Sequence, residues 1–415
     1  MLVCFVASLF HLCKLALLIT SFFQFSLILL IMLYLIMTII AIGARVLCLG
    51  HVSADYSIFL SGWMESIRAG GGFASLASQT GNYNLPYLTL LALFSYSSVN
   101  DLYLIKILSI FFDFVLAWAV MKIVEKITGN KKRMLIAFFA VLLWPTVIIN
   151  SAFWGQCDSI YVALGILGIY LAMDDRPVLS MLCIAASFGF KLQAVFIIPV
   201  YAVLWMQGKF KWWHFLFFPL TYIIMILPAV LAGRPFAEAL LLYTTQTESI
   251  GIDYSYTAPS FLSIIQTAKT ALASLNTPEA IAAVSKLFVL IAMLFVIAVL
   301  ALCFNNRKRL SNWLVLMAAA LFAIGIPYLL PHMHERYFYY ADIMLLLLAL
   351  CNRKFWPYAV VSELSSLASY WAYYSSIKST PYIPIYVIAF INGFVFLFLF
   401  VCLFRKMKTS RKADV

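Results

Sequence analysis

Long apolar runs separated by short polar segments dominate this chain. The run 287–304 contains only apolar side chains, and about 20 apolar residues are what a helix needs to cross a bilayer. Strands of a membrane β-barrel would instead alternate apolar and polar positions over about ten residues. The pattern therefore predicts an all-α polytopic membrane protein, because lipid allows only helices and closed barrels as spanning structures.

Windows of this length predict about twelve transmembrane helices. The longer stretch 178–206 is interrupted by Lys191 and Gln193, and it predicts two short helices that meet on the outer side of the membrane. The apolar segment 1–20 contains a His and a Lys, and it is either a thirteenth span, an interfacial helix or a signal-like extension. The other predicted spans lie near 22–46, 100–122, 134–151, 159–174, 214–232, 281–304, 311–330, 337–351, 355–375 and 382–404.

Two long loops, 47–99 and 233–280, interrupt the spans, and neither has the composition of a separate soluble domain. The amphipathic stretch 55–68 in the first loop predicts short juxtamembrane helices. The pattern divides the chain into an apolar N-terminal extension at 1–21, a transmembrane module at 22–345, and C-terminal helices with a basic cytoplasmic tail at 346–415.

The charge distribution predicts how the chain is oriented. Charged residues make up only 11% of the chain, and the net charge of +12 comes from short basic clusters between the spans. Such clusters are typical of cytoplasmic loops, so nucleic acid is not expected as a partner. We expect a multi-pass protein of a bacterial plasma membrane whose two long loops face outside. The clusters are Lys131-Lys132-Arg133, Arg307-Lys308-Arg309, Arg353-Lys354 and Arg405 to Lys412.

Polar segments that could carry chemistry follow the spans. Asp55 comes after the first long span, with Ser53 as a candidate helix cap. A carboxylate there can take a proton from a hydroxyl nucleophile, or it can simply stabilise a helix N-terminus. Trp154 suits either stacking on a sugar ring or anchoring at the membrane interface. Gln156 and Asp158 can bind hydroxyl groups or cap a helix.

Further polar residues follow later in the chain. Lys191, with Gln193 nearby, must either meet an anion or extend to the interface. The densest polar cluster is His334-Glu335-Arg336, where the planar guanidinium group matches phosphate oxygens. An ion pair between Glu335 and Arg336 is the alternative, which an α-helix disfavours because adjacent residues do not face each other. The HEXXH spacing of zinc sites is absent, and no metal site is predicted.

All of these segments lie on the outer side under this topology. A lipid-linked sugar transporter or flippase would place polar groups near the middle of its spans. In this chain, we expect Asp113 to be the only carboxylate well inside a span. A polysaccharide polymerase or ligase acting on lipid-linked glycans would carry Arg-rich outer motifs, for which only Arg234 and Arg336 are suitably placed. Both classes of protein remain open at this point.

The polar segments, in this order, resemble the glycosyltransferases of the GT-C superfamily, which use polyprenyl-phosphate-sugar donors, and in particular bacterial homologues of the GPI-anchor mannosyltransferases. The run Asn84-Leu85-Pro86 departs from the Tyr-Pro-Pro-like run of relatives, and 1–20 has no clear counterpart. The matching segments are Ala54-Asp55-Tyr56, Trp63-Met64-Glu65, Asn84 to Thr89, Trp154 to Ser159, Lys191 to Gln193 and His334 to Tyr337.

The resemblance implies an inverting hexosyltransferase, and a mannosyltransferase in particular, with Asp55 as the catalytic base. It places His334, Glu335 and Arg336 near the donor phosphate. The donor would be a polyprenyl-phosphate sugar in the bilayer, and the acceptor a glycan, lipid or protein. No cofactor is required, although Glu65 and Asp158 could hold a divalent cation. We add Lys191 and Gln193 to the donor site, and Glu65, Trp154, Gln156 and Asp158 to the acceptor or sugar site.

Overall fold

The computed structural model describes residues 32–78, 81, 83–244, 253–269, 272–378 and 384–412. These residues are almost entirely helical, which confirms the prediction of an all-α polytopic membrane protein. The predicted thirteenth span at 1–20 lies outside the described residues. Contacts divide the chain into one unit up to Cys48 and a second unit from Leu49 onwards. The second unit contains every residue that is discussed below as part of a site.

Six described helices are long and apolar enough to cross a membrane, and a bent pair, Lys131–Leu142 with Pro145–Trp154, makes a seventh if it counts as one span. The predicted number of about twelve therefore also counts several shorter helices. The six are Met32–Leu49, Asp101–Thr128, Trp212–Leu231, Pro278–Asn305, Asn312–Leu329 and Ile385–Lys408. The shorter helices include Asp158–Met173, Pro177–Phe190, Pro199–Met206 and Tyr339–Cys351, whereas Trp356–Lys378, with 23 residues, is long enough but not apolar enough to count among the six.

The stretch 178–206 is broken where the sequence predicted. Helix Pro177–Phe190 ends because Lys191 is extended, with φ −154° and ψ 134°. A 3₁₀ turn, Leu192–Phe196, then leads into Pro199–Met206. The predicted juxtamembrane helices also form. They are a π-helical turn at Tyr56–Leu60, helix Ser61–Ala69, the 3₁₀ turn Gly72–Ala77 and helix Leu85–Phe94.

Two helices form the centre of the bundle. Asn312–Leu329 is buried along nearly its whole length, and Tyr339–Cys351 is buried throughout. The latter helix runs across the domain boundary that we predicted at 345/346, and the second unit continues through it. Helices Pro278–Asn305 and Ile385–Lys408 instead bury only 22% and 33% of their apolar windows, as expected for helices with lipid-facing surfaces.

The second long loop also contains helices, Phe236–Leu240 and Phe261–Lys269 with a 3₁₀ turn at Ala273–Leu275, and it reaches the His334 segment through a short sheet. Strand Ser255–Tyr256 pairs in parallel with Met333–His334, so that Tyr256 lies opposite His334. The two rings stack with centroids 4.9 Å apart. Further 3₁₀ turns are Trp212–Leu216, Arg307–Arg309, Glu335–Phe338 and Arg353–Phe355.

The expectation that Asp113 is the only carboxylate well inside a span is wrong. Asp342 and Glu363 are also buried within helices Tyr339–Cys351 and Trp356–Lys378. Neutral groups donate to both carboxylates, Ser362 Oγ to Asp342 at 2.7 Å and Thr146 Oγ1 to Glu363 at 2.8 Å. Hydrogen bonding of this kind is what buried polar groups require.

Candidate active site

A polar cavity of about 500 Å³ brings together residues that are far apart in the sequence. Asp55, Gln156, Lys191, Gln193, His334 and Arg336 line it, all of them predicted site residues. Two others, Asp158 and Glu335, are fully buried and bond the cavity-lining cations. Glu65 is not part of this arrangement, because it lies on the exposed side of helix Ser61–Ala69.

Asp55 does not act as a helix cap. The backbone N–H of Tyr56 donates to Ser53 Oγ at 3.2 Å, so Ser53 fills the capping role that we proposed for it. The Asp55 carboxylate makes no capping bond. Instead, it accepts hydrogen bonds from Gln156 Nε2 on Oδ2 and from the Tyr373 hydroxyl on Oδ1, the latter at 2.8 Å. Local capping therefore leaves the carboxylate oriented toward the cavity.

Gln156 is positioned by an unusual backbone turn. A π-helix, Ile149–Trp154, ends at Gly155, whose φ of 77° lies in the left-handed region that glycine adopts readily. The amide group of Gln156 then bridges two segments, because its Nε2 donates to Asp55 and its Oε1 accepts from the Tyr83 hydroxyl at 3.0 Å. The two π-helical turns among the described residues thus adjoin Asp55 and Gln156, and π-helical turns are frequent at functional sites.

Lys191 meets an anion rather than extending to the interface. Its Nζ donates to Asp158 Oδ1, and both side chains are buried. Asn150 Nδ2 donates to the other oxygen of Asp158 at 2.8 Å. Burial by itself would lower the pKa of Lys191, but Asp158, together with Cys157 and Tyr337, outweighs it and raises the pKa. Lys191 therefore remains charged at the wall of the cavity.

Arg336 lies between several carboxylates. Its Nη1 donates to Glu335 Oε1 at 2.6 Å and is 3.8 Å from Asp55 Oδ2, while its Nε is 3.8 Å from Asp158 Oδ2. Nε is buried and has no hydrogen-bond partner among the described residues. The guanidinium carbon also lies 5.9 Å from the Trp154 ring centre, within cation–π range. The guanidinium group of Arg336 is thus surrounded by three carboxylates and one aromatic ring where it lines the cavity.

The ion pair between Glu335 and Arg336 forms, contrary to our argument from α-helical geometry. His334 is extended and residues Glu335–Phe338 form a 3₁₀ turn, so the two side chains can face each other. Burial alone would raise the pKa of Glu335, but Arg336 and His334 outweigh it and lower the pKa to about 2. Thr257 Oγ1 donates to the other carboxylate oxygen at 3.2 Å.

An aromatic cavity of about 610 Å³ adjoins the polar one. Trp154 lines it and is buried, so it does not act as an interfacial anchor. Its ring stacks on Tyr373, with centroids 5.2 Å apart, and Tyr373 lines both cavities. The remaining walls are His51 to Ala54, Ile149, Phe153, Leu367, Tyr370, Trp371 and Tyr374.

Sequence reasoning missed Tyr373, because we assigned 346–415 to C-terminal helices outside the catalytic module. The cluster 370–374, which contains four aromatic residues near the end of a predicted span, was a usable signal. The two carboxylates that we named as cation ligands are also not gathered, since Glu65 is exposed and Asp158 is buried against Lys191. Among the described residues, no group of three or more His, Cys, Asp or Glu could hold a metal ion.

A helical membrane protein with a carboxylate and an arginine at one cavity, and stacked aromatic rings at an adjoining one, has the features expected of an enzyme that acts on lipid-linked substrates. Residues 81–211 match the model of a family described as DolP-mannose mannosyltransferase. This match confirms the resemblance to polyprenyl-phosphate-sugar mannosyltransferases and the prediction of a glycosyltransferase. The matched part includes Trp154 through Gln193, but neither Asp55 nor Arg336. No curated protein sequence matches the chain significantly.

Proposed function

We propose that this protein transfers mannose from a polyprenyl-phosphate donor to a hydroxyl acceptor, with inversion, on the outer side of a bacterial plasma membrane. The observation that carries the proposal is the geometry around Asp55. A carboxylate and the Nη1 atom of Arg336 face one cavity 3.8 Å apart. A proton acceptor and an anion-binding group are therefore close enough to act on the two ends of one glycosyl transfer.

In the proposed reaction, Asp55 takes the proton of the acceptor hydroxyl, which must lie roughly 3 Å away. The hydroxyl oxygen attacks the anomeric carbon, and the bond from that carbon to the phosphate oxygen breaks. Polyprenyl phosphate leaves as a stable anion, so no acid is needed on that side. Arg336, which lines the polar cavity, would meet the developing charge together with Lys191. Asp55 then releases the proton to water.

The aromatic cavity supports a lipid-linked donor. Its lining is mostly apolar, and Tyr373, whose hydroxyl donates to Asp55, lines both this cavity and the polar one. An isoprenoid chain would lose its contact with water there, which is favourable in proportion to the apolar area buried. The sugar phosphate would then occupy the polar cavity. His334 and Gln193, which line that cavity, would contact the donor, and Gln156 and Asp158 would hold the sugar or acceptor in place.

Helix Asp101–Thr128 supports the outward orientation. Near its beginning, Lys106 Nζ donates to the carbonyl oxygen of His51, four residues before Asp55. Its 28 residues span about 42 Å, and the basic cluster Lys131-Lys132-Arg133 follows its end. The cavity and the basic cluster therefore lie toward opposite ends of a membrane-length helix, and basic clusters favour the cytoplasmic side.

The test is to incubate the purified protein with a panel of polyprenyl-phosphate sugars and acceptors, and to measure released polyprenyl phosphate. We expect release from the mannose donor to depend on an acceptor. Release of polyprenyl pyrophosphate from a pyrophosphate-linked glycan, added to the panel as a further donor, would indicate the polymerase or ligase alternative. That alternative is weakened by Arg234, which bonds Glu238 and the Leu76 carbonyl and does not line the polar cavity. Movement of the donor across vesicles without chemistry would indicate a flippase.

A further inference from the structure

Tyr373 connects the C-terminal part of the chain to the proposed catalytic base. It belongs to helix Trp356–Lys378, and its hydroxyl donates to Asp55 Oδ1 at 2.8 Å across 318 positions of sequence. Gln156 Nε2 donates to the other oxygen of the same carboxylate. Asp55 is therefore held from both sides by neutral donors, and such bonds to a charged acceptor are about twice as strong as bonds between neutral groups.

The position of the Tyr373 hydroxyl is itself fixed by a closed set of contacts. The ring stacks on Trp154 at an interplanar angle of 28°. The Trp154 carbonyl oxygen accepts a hydrogen bond from Ser53 Oγ at 2.7 Å, and Ser53 caps the turn that carries Asp55. The path from Asp55 through Tyr373, Trp154 and Ser53 returns to the Asp55 backbone. Each contact therefore limits the movement of both the Asp55 carboxylate and the Tyr373 hydroxyl that donates to it.

Without these donors, the carboxylate would have a competing partner. Arg336 Nη1 lies 3.8 Å from Asp55 Oδ2, which is too far for a hydrogen bond but near enough to form one after a small rotation. A direct ion pair would occupy the base and the anion-binding group at the same time. Because Asp55 is largely buried, such a pair would be only weakly screened by water.

We propose that Tyr373 is a positioning residue that keeps the Asp55 carboxylate facing the polar cavity and out of an ion pair with Arg336. The proposal rests on the function proposed above, in which Asp55 is the base. It assigns to the C-terminal helices a part in the reaction, although the hydroxyl need not touch the reacting atoms.

The test is a cycle of four proteins: wild type, Tyr373→Phe, Asp55→Asn and the double variant, assayed for release of polyprenyl phosphate. Phenylalanine keeps the ring that stacks on Trp154 and removes only the hydroxyl. We expect Tyr373→Phe to lower kcat roughly tenfold or more, with the KM for the donor changed less than about threefold. In the Asp55→Asn background, the same change should have almost no further effect, because the carboxylate it positions is gone.

Tyr358→Phe is the matched control, because Tyr358 lies on the same helix, stacks on Phe398 and lines neither cavity. It should retain wild-type kcat, and all variants should keep the wild-type unfolding temperature in detergent. If Tyr373→Phe lowers kcat equally in the wild-type and Asp55→Asn proteins, or lowers it in neither, the positioning role of Tyr373 is wrong but the proposed base is unaffected. Full activity of Asp55→Asn would instead overturn the proposed base, and with it the role of Tyr373.

Discussion

The two sides of the polar cavity hold their carboxylates in different ways. Asp55 is bound by the neutral donors of Gln156 and Tyr373 and stays 3.8 Å from Arg336 Nη1, whereas Glu335 bonds the same nitrogen at 2.6 Å. A carboxylate held by neutral donors keeps its charge available to an incoming hydroxyl. One in a direct ion pair instead fixes a cation in place. The partners therefore indicate which carboxylate can act as a base and which one anchors an arginine.

The substitution with the largest expected effect is Asp55→Asn. It tests the side of the polar cavity whose carboxylate is bound by neutral donors. The amide cannot accept the proton, so turnover should fall by about two to four orders of magnitude, the usual contribution of a general base. The measurement is acceptor-dependent release of polyprenyl phosphate by protein that elutes and unfolds like wild type. Turnover at the wild-type rate would remove Asp55 from the role.

Lys191→Met tests the side of the polar cavity where buried carboxylates form ion pairs. It removes the cation that is hydrogen-bonded to the buried Asp158 carboxylate and leaves only Arg336 Nε, 3.8 Å away. Breaking such a buried pair typically costs about 3–5 kcal/mol of stability. Thermal unfolding in detergent should show this loss. The double variant Lys191→Met with Asp158→Asn should recover much of it, because no unpaired charge remains. A single variant as stable as wild type would contradict the pairing.

Arg336→Ala tests whether the arginine serves the donor. We expect kcat/KM for the donor to fall about 100-fold, a usual cost for losing one group that stabilises developing charge, while the KM for the acceptor stays the same. Arg336→Lys is the control. It keeps the charge without the planar fork and should lose less. An unchanged KM and kcat for the donor would argue against contact with phosphate.

The pairing of Glu335 with Arg336 predicts a dependence of stability on pH. The pKa of Glu335 falls from 4.5 to about 2 on folding. A carboxylate with a lowered pKa stabilises the fold above its unfolded value, and this contribution is lost as the pH falls from 4.5 toward 2. Between about pH 6 and pH 3, wild type should lose roughly 2 kcal/mol more than Glu335→Gln in thermal unfolding. Parallel curves for the two proteins would exclude this ion pair.

The smallest expected effect is that of Glu65→Gln. The sequence suggested Glu65 for the acceptor or sugar site, but its side chain is exposed and lies outside the polar cavity. The change should therefore alter kcat/KM for donor and acceptor less than about twofold, within the range of ordinary surface substitutions. A loss comparable to that of Asp55→Asn would mean that Glu65 reaches the substrates after all.

Several features of the site were predictable because they depend on local pattern. Lys191 breaks an apolar run, and the chain is extended there. Asp55 and Arg336 lie at the ends of spans, where polar side chains can reach a cavity without crossing lipid. The argument against the Glu335–Arg336 pair failed because it assumed an α-helix where the chain forms a 3₁₀ turn. Tyr373 was missed because its partner lies 318 positions away.

The sequence by itself determined the helical membrane class, most of the breaks between helices and the chemical types available at the ends of the spans. Apolar length and local polarity are properties of neighbouring residues, so they can be read along the chain. Only the tertiary structure decided that neutral donors hold Asp55 while Glu335 and Asp158 bond cations. Such hydrogen bonds form between helices, and packing determines which side chains lie within about 3 Å of one another.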